Sequence, residues 1–489
     1  MKPSSRSRRT PFCLSDSCTF LLVACLLLSG VSSASPCITL SKKSGPPTSK
    51  ILVSGRGFEP RAKVDIYFGT KDERLVVTNG QGEFKDAEAY APRCARPGKH
   101  WVMALERNNR ERAQKPFLVR TDWRQFHFVA DGKRVNPYEN VLNRQNVKQM
   151  VVKWSVSAGG LVQYSSPAVV NGKVYIGSDD HNVYALDSRT GHVVWRYLTG
   201  DTVQSSPAVV NGVVYVSSHD QKLYALDACT GAKLWSFTAL SPFGVSSPTV
   251  ANGVVYVGAL WRDDSVYALN ARTGEKLWSF TTGGDVAASA AVVNGVVYIG
   301  SLDGNLYALD ALTGVLQWSY TGGGWIYGSP TVADGVLYFG AGDGKVYALN
   351  ADTGAELWTY VTGAQVETTP AVANGVVYVG SSDHNLYALK ASTGALLWKY
   401  WPASGGPSSP TVANGVVYSG SFEGDLYAFD ARTGNLLGVY AIPETVYSSP
   451  TVVDGVVYVG STFSAEGPIL YAFTAKQGLQ GAMVSPIVP

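Results

Sequence analysis

The segment SSPAVVNG at 165–172 returns seven more times along the chain, as SSPAVVNG, SSPTVANG, ASAAVVNG, GSPTVADG, TTPAVANG, SSPTVANG and SSPTVVDG. Pro167, Pro207, Pro248, Pro330, Pro370, Pro410 and Pro450 mark the copies, with Ala290 in the fourth slot, at steps of 40 to 42 residues. A repeat of this period means copies of one supersecondary unit that share a continuous core. Each copy holds four short apolar runs: S-P-A-V-V, V-V-Y-V-G, V-Y-A-L-D and x-L-W-S-F. Asn-Gly or Asp-Gly, an acidic turn and Thr-Gly divide them, so four strands per unit follow. The high Gly (52) and Tyr (27) counts against only 4 Met agree with sheets joined by tight turns. Four-stranded sheets at this period are propeller blades. The predicted fold is therefore all-β, an eight-bladed β-propeller over 151–475. A helical solenoid would need a 3.6-residue period that these units lack.

WD40 repeats share the period but carry Gly-His and Trp-Asp signatures absent here. The segment A-L-D-x-x-T-G-x-x-x-W, seen as Ala185-Leu186-Asp187, Thr190-Gly191 and Trp195, instead resembles the tryptophan-docking motif of quinoprotein-type propellers. That family includes pyrroloquinoline quinone dehydrogenases and the outer-membrane assembly lipoprotein of Gram-negative bacteria. The resemblance covers about 151–475 and implies the fold; enzymes and non-enzymes share it, so it does not fix activity. The chemistry of the residues agrees: Thr-Gly turns the chain, and the Trp offers a large face to a neighbouring sheet. Trp154, Trp195, Trp235, Trp278, Trp318, Trp358 and Trp398 are the expected docking residues, and Gly438 fills the eighth slot. Blade 7 is thus the expected weak seam. Because Trp154 precedes the first S-S-P and the last unit ends at Tyr471-Ala472-Phe473, the N-terminal strand is expected to complete blade 8 and close the ring.

Residues 1–34 read as a signal peptide. Lys2, Arg6, Arg8 and Arg9 precede an apolar stretch from Phe20 to Val31, and Ser32 and Ala34 suit cleavage after Ala34. The expected location is extracytoplasmic, secreted or periplasmic, with retention as an uncleaved anchor the alternative. Of the six cysteines, Cys37, Cys94 and Cys229 would remain in the mature chain. Cys37 and Cys94 are expected to pair in an oxidising compartment. Runs such as Lys63 to Phe68 and His100 to Leu105 alternate at period two, so residues 35–121 are expected to form an immunoglobulin-like β-sandwich. The stretch Ser54 to Pro60 resembles bacterial extracellular immunoglobulin-like modules. Residues 122–150 read as a polar connector and 476–489 as a tail.

Residues 35–150 carry 22 Lys and Arg against 12 Asp and Glu, whereas 151–489 carry 14 against 24. The first unit could meet an anionic envelope partner or dock on the propeller. Without a clustered basic run, no nucleic-acid partner is expected, and the chain is expected to be a monomer.

Comparing the eight copies separates positions that a blade requires from positions left free. The Asn-Gly and Thr-Gly turns hardly vary and share one face of the disc. The loops leading into S-S-P and those after V-V-Y-V-G vary on the other. Three residues before each marker stand Tyr164, Gln204, Val245, Ala287, Tyr327, Glu367, Pro407 and Tyr447, a ring expected at the mouth of the central channel. Trp261, Trp325, Trp401 and Phe243 could add flat platforms for a sugar or a peptide, or could simply cover blade tips. Asp180, Asp220, Asp263, Asp303, Asp343, Asp383 and Glu423 recur in one loop, where turn chemistry rather than a metal site is expected.

In the quinone dehydrogenases the resemblance implies a cofactor on the axis, a Ca²⁺, an Asp base and commonly a disulfide of adjacent cysteines. This sequence has no adjacent Cys pair and almost no blade insertions, and His181, His219 and His384 fall in separate loops. The expectation is a non-catalytic binding or scaffolding protein without cofactor or metal, presenting its variable face to a protein or carbohydrate partner. A quinone- and Ca²⁺-dependent alcohol or sugar dehydrogenase is the alternative.

Overall fold

A computed structural model describes residues 35–157, 160, 162–400, 406–462 and 470–476. The expected signal peptide, Trp401 and residues 477–489 lie outside them. Blade 1 consists of Ala168–Val170, Lys173–Gly177, Asn182–Asp187 and Val193–Leu198, hydrogen-bonded in that order. Six more blades follow in register, at 208–238, 249–281, 291–321, 331–361, 371–400 and 411–441. Blade 8 takes Thr451–Val453, Val456–Gly460 and Leu470–Ala475 from the C-terminal end, and its outermost strand is Met150–Val156. Met150 pairs with Ala475 and Val156 with Leu470, so the ring closes by joining the two ends of the propeller chain, as expected. Innermost strands of successive blades touch all the way round, the first against the last included.

Local chemistry explains the blades. Both residues of all eight Asn-Gly or Asp-Gly turns have positive φ, as in Asn171 (53°) and Gly172 (74°), the geometry whose twist matches the flanking strands. The middle strands are buried on both faces, which is why V-V-Y-V reads as an unbroken apolar run. In the A-L-D-x-x-T-G turn, Asp187 Oδ1 accepts the N–H groups of Arg189 and Thr190 and the Thr190 hydroxyl. That fixes Gly191 at φ 76°, where its bare Cα faces the indole of Trp154; a Cβ there would lie 2.9 Å from the ring. Each docking Trp covers the corresponding Gly of the next blade. The indole N–H of Trp154 donates to Ser188 O (3.0 Å) and that of Trp195 to Ala228 O (3.1 Å), and Trp235, Trp278, Trp358 and Trp398 repeat the bond. In Trp318 the same N–H is buried without a partner.

Both serines of S-S-P bond across blades, the first through its hydroxyl, as Ser165 Oγ donates to Ser205 O at 2.9 Å. The first caps the second strand of its own blade, as Ser165 Oγ accepts Gly177 N–H at 2.9 Å. The second links blades: Ser166 N–H donates to Ser206 Oγ, Ser206 to Ser247, Ser247 to Ser289, Ser289 to Ser329, Ser329 to Thr369 and Thr369 to Ser409. Ser449 N–H returns to Ser166 Oγ. Seven such links run round the axis from Ser449 to Ser409.

The stretch read as a polar connector is a plug. Inner strands present unpaired edges to the axis, and residues 123–136 run round them. Val169 N–H donates to Trp123 O, Val209 to Arg124 O, Val250 to Gln125 Oε1, Val292 to Ala130 O, Val332 to Asp131 O, Val372 to Lys133 O and Val412 to Arg134 O. Asn136 Nδ2 donates to Val452 O, completing all eight blades. Trp123 and Arg134 are fully buried here; the Arg134 guanidinium donates to Pro410 O, Phe126 O and Thr411 Oγ1. This edge pairing satisfies backbone groups that would otherwise be buried and unpaired. It also closes the channel on the Asn-Gly face.

The N-terminal unit is a two-sheet β-sandwich. One sheet orders Cys37–Leu40, Lys50–Arg56 and Phe84–Tyr90; the other orders Ser44–Gly45, Arg112–Val119, Gly98–Glu106, Lys63–Phe68 and Lys71–Val77. Ile38, Ile51, Val64, Ile66, Val102 and Phe117 fill its core. Thr121 N–H on Asp454 and Asn140 Nδ2 on Ala95 O tie it to the plugged face. The expected Cys37–Cys94 disulfide is corrected: both thiols are free. Pairing of 37–40 with 50–56 sets Cys37 Sγ 3.3 Å from Arg56 Nε, while Cys94 is exposed in the turn between Phe84–Tyr90 and Gly98–Glu106.

Candidate functional site

With the plug on the Asn-Gly side, the other end of the channel lies on the variable face. Tyr164 and Tyr447 meet there with ring centroids 5.5 Å apart, and Phe422 lies tilted against Tyr447 at 4.5 Å. Burial raises the hydroxyl pKa of Tyr327 and of Tyr164, and the Glu367 carboxylate adds to both shifts, so these groups share one electrostatic neighbourhood. Ala287 and Pro407 are buried. Tyr164, Tyr327 and Tyr447 therefore largely fill the mouth, and Glu367 stays exposed.

Gln204 is the mouth residue that reaches outward. Its Nε2 donates to Gln163 Oε1 (3.4 Å), which leaves Oε1 to accept from His219 Nε2 at 3.1 Å. Burial depresses the His219 pKa and keeps the imidazole neutral near pH 7. Asp179, on the tip of blade 1, faces Gln204 and His219; burial pushes its carboxyl up, and its Oδ1 is buried without a hydrogen-bond partner. The sequence placed His219 alone in its loop; the structure gives it Gln204, Asp179 and an indole.

The indole is Trp261, 57 % exposed, its ring edge-on to His219 with centroids 5.9 Å apart. Its loop is backbone-strained: Trp261, Arg262 and Asp264 all have positive φ (52°, 77° and 47°), unfavourable for side chains of their size. Strain of this kind persists only where neighbours impose it. Here Asp285 Oδ1 accepts Trp261 N–H at 2.6 Å, the Ser241 hydroxyl donates to Trp261 O at 2.7 Å, and Asp263 takes the N–H groups of Leu240 and Ser241. Trp261, His219, Gln204 and Asp179 thus form one half-open cluster across the tips of blades 1 to 3.

Trp325 stands elsewhere, 43 % exposed over Gly342 on the tip of blade 5. Phe243 is corrected: it is fully buried against Tyr267, in the core between blades 2 and 3, and offers no platform. The recurrent acids perform turn chemistry. Asp303 and Asp343 accept the hydroxyls of Tyr307 and Tyr347 (2.6 Å each), Asp180, Asp220, Asp263 and Asp383 repeat the pattern, and Asp220, Asp303 and Asp383 also accept N–H groups of Gly200, Gly283 and Gly363. Blade 7 departs, because Tyr427 turns to Asp425 rather than Glu423. Among the described residues no three His, Cys, Asp or Glu side chains are grouped to hold a metal.

One repeat position carries much of the variation, the residue just before the acidic turn: Asp179, His219, Leu302, Gly342, Ser382 and Phe422. Five of these donate a backbone N–H to the preceding inter-blade loop, which holds tip and mouth together. Lining up that position across the repeats would have found Asp179 and Phe422 as well.

The sequence matches the family described as outer membrane protein assembly factor BamB over residues 133–260, 201–323 and 401–480. A 71-residue segment is 34 % identical to quinoprotein alcohol dehydrogenase PedH of Pseudomonas putida, covering 14 % of this chain and 12 % of that enzyme. Among solved structures, BamB from Moraxella catarrhalis superposes with a TM-score of 0.58 at 21 % identity, covering 67 % of this chain and 98 % of that one. Quinohemoprotein alcohol dehydrogenase from Comamonas testosteroni gives 0.64 at 18 % identity, covering 75 % and 83 %. Likeness at these identities speaks to the fold alone. The family match spans more than half of the chain, and the protein belongs to the BamB-type family of pyrroloquinoline quinone-like repeat propellers.

Proposed function

We propose that the chain is an exported, non-catalytic β-propeller that holds a protein or carbohydrate partner on its variable face, at the cluster of Asp179, Gln204, His219 and Trp261. The observation that carries this reading is the asymmetry of the disc. The chain's own residues 123–136 occupy one face, whereas on the other a strained, hydrogen-bonded loop holds an exposed indole beside a neutral imidazole and an amide. A flat apolar ring flanked by a few fixed polar groups suits a sugar ring or a peptide turn. The assembly-factor description of the family is in keeping with a protein partner in the cell envelope.

The quinone-dependent alternative draws on the PedH segment and asks the axis for a metal with several oxygen ligands. Among the described residues the mouth supplies Glu367 and, near Tyr164, Asp179, among tyrosines that pack on each other; no third acid joins them, and these residues do not fit that group. In the test, purified protein is titrated with envelope proteins and with a panel of oligosaccharides, alongside a dye-reduction assay with the quinone, Ca²⁺ and alcohols. Binding that Trp261→Ala abolishes and Leu312→Ala, on the opposite face, leaves intact supports the reading. Turnover of an alcohol or sugar overturns it.

A further inference from the structure

Far from the propeller face, the N-terminal sandwich opens along one edge. Cys37–Leu40 pairs on one side only, with Lys50–Arg56, and Arg112–Val119 pairs with Gly98–Glu106 but meets Ser44–Gly45 only at Leu118 and Val119. Between these two free edges lies a groove of about 670 Å³ lined by Ile38, Thr39, Leu40, Lys43, Lys99, Lys115, Pro116 and Leu118. Its floor is hydrocarbon: Ile38 belongs to the sandwich core, and Leu40 packs against it. The apolar surface continues outward over Leu118 and Pro116 to Trp101, which lies opposite Pro116 in register and is 41 % exposed. The rim is cationic. Three of the eight lining residues are lysines and none is acidic, and the Lys99 ammonium lies 4.4 Å from the centroid of the Trp101 ring. Neither Lys99 nor Lys115 enters an ion pair among the described residues.

We infer that this groove binds a single acyl chain bearing an anionic headgroup, with the chain on Ile38, Leu40 and Leu118 and the headgroup between Lys99 and Lys115. Charge complementarity carries the choice. A neutral hydrocarbon would gain nothing from the ammonium groups of Lys99 and Lys115, and a cationic amphiphile would be repelled. An added peptide strand fits poorly, because Pro116 interrupts the free edge and removes an N–H that pairing would use. A concave recess of this volume is of the size that encloses small ligands, roughly 300–1,000 Å³. This site is independent of the propeller face, and either reading can fail without the other.

The test is calorimetric titration of the full exported chain with decanoate, dodecanoate and tetradecanoate below their aggregation concentrations, with dodecyltrimethylammonium as the cationic counterpart. One-to-one binding is expected, strengthening by about fourfold per added methylene until the groove is full. Lys99→Glu/Lys115→Glu should weaken dodecanoate about tenfold and leave the melting temperature unchanged; Lys115→Gln alone serves if the double variant misfolds. Equal affinity for the cationic amphiphile, or dodecanoate binding indifferent to these substitutions, overturns the inference. Binding to anionic vesicles without binding to soluble dodecanoate would also overturn it, assigning the surface to a membrane instead.

Discussion

The indole of Trp398 lies on Gly434 of the next blade and donates to Ala431 O at 3.1 Å, yet Gly438, the next member of that series, has no such turn to cover. Blade 8 takes its last two strands from opposite ends of the propeller chain, so it has no Thr-Gly turn. The missing Trp and the ring closure are one fact. The carbonyl that accepts from Tyr in the other blades, and from the docking Trp in all of them but that of Trp318, is missing as well, and the buried Tyr418 hydroxyl of blade 7 is left without a partner, whereas Tyr378 reaches Ala431 O at 2.9 Å. Leu142, Val147 and Met150 fill the seam instead.

Trp195→Ala and Trp358→Ala should therefore each cost about 3–5 kcal/mol in denaturant unfolding. Gly438→Trp should destabilise rather than restore a contact, because a Cβ at 438 would meet the Tyr440 hydroxyl, which already occupies the space.

Removing residues 150–156 takes away the strand that completes blade 8, along with Trp154. Its melting temperature should fall by about 10 °C or more. A variant melting like the parent would contradict ring closure by this strand.

Two buried groups oppose each other in the pH dependence. Burial and the Arg134 guanidinium push His127 down to about 3, so between pH 3 and 6.5 the unfolded chain binds the extra proton and stability falls as pH drops. Burial pushes Asp454 up to about 7, so between pH 3.8 and 7 the folded chain binds the extra proton and stability falls as pH rises. Melting curves from pH 4 to 8 should show His127→Gln flattening the acid-side loss and Asp454→Asn flattening the loss toward neutrality.

The free thiols make a simple chemical prediction. Alkylation of the folded protein without reductant should label Cys94 readily and Cys37 more slowly, and dithiothreitol should leave the melting temperature unchanged.

The blades were legible because eight copies average out noise, and the run order that places Trp154 before the first S-S-P revealed the closing strand. The plug was not legible. Its bonds to Val169, Val209 and Val412 come from backbone carbonyls, which leave no side-chain pattern, and polar residues among 122–150 masked Trp123, Phe126 and Phe128. Register brings Tyr164 and Tyr447 into ring contact, but it does not tell that pair from Gln204, which reaches His219; packing sets the distinction. His219 looked isolated because its neighbours Asp179 and Trp261 come from other blades, about 40 residues away on either side.

The most direct measurement is site-specific photo-crosslinking in the native envelope, with the probe at Trp261 on the variable face and at Leu312, 80 % exposed in the Thr-Gly turn of the plugged face. A discrete adduct from position 261, lost when His219→Ala and Gln204→Ala are added, is the predicted result. Adducts of equal yield from both positions, or from position 312 alone, would contradict the assignment of the variable face as the binding surface.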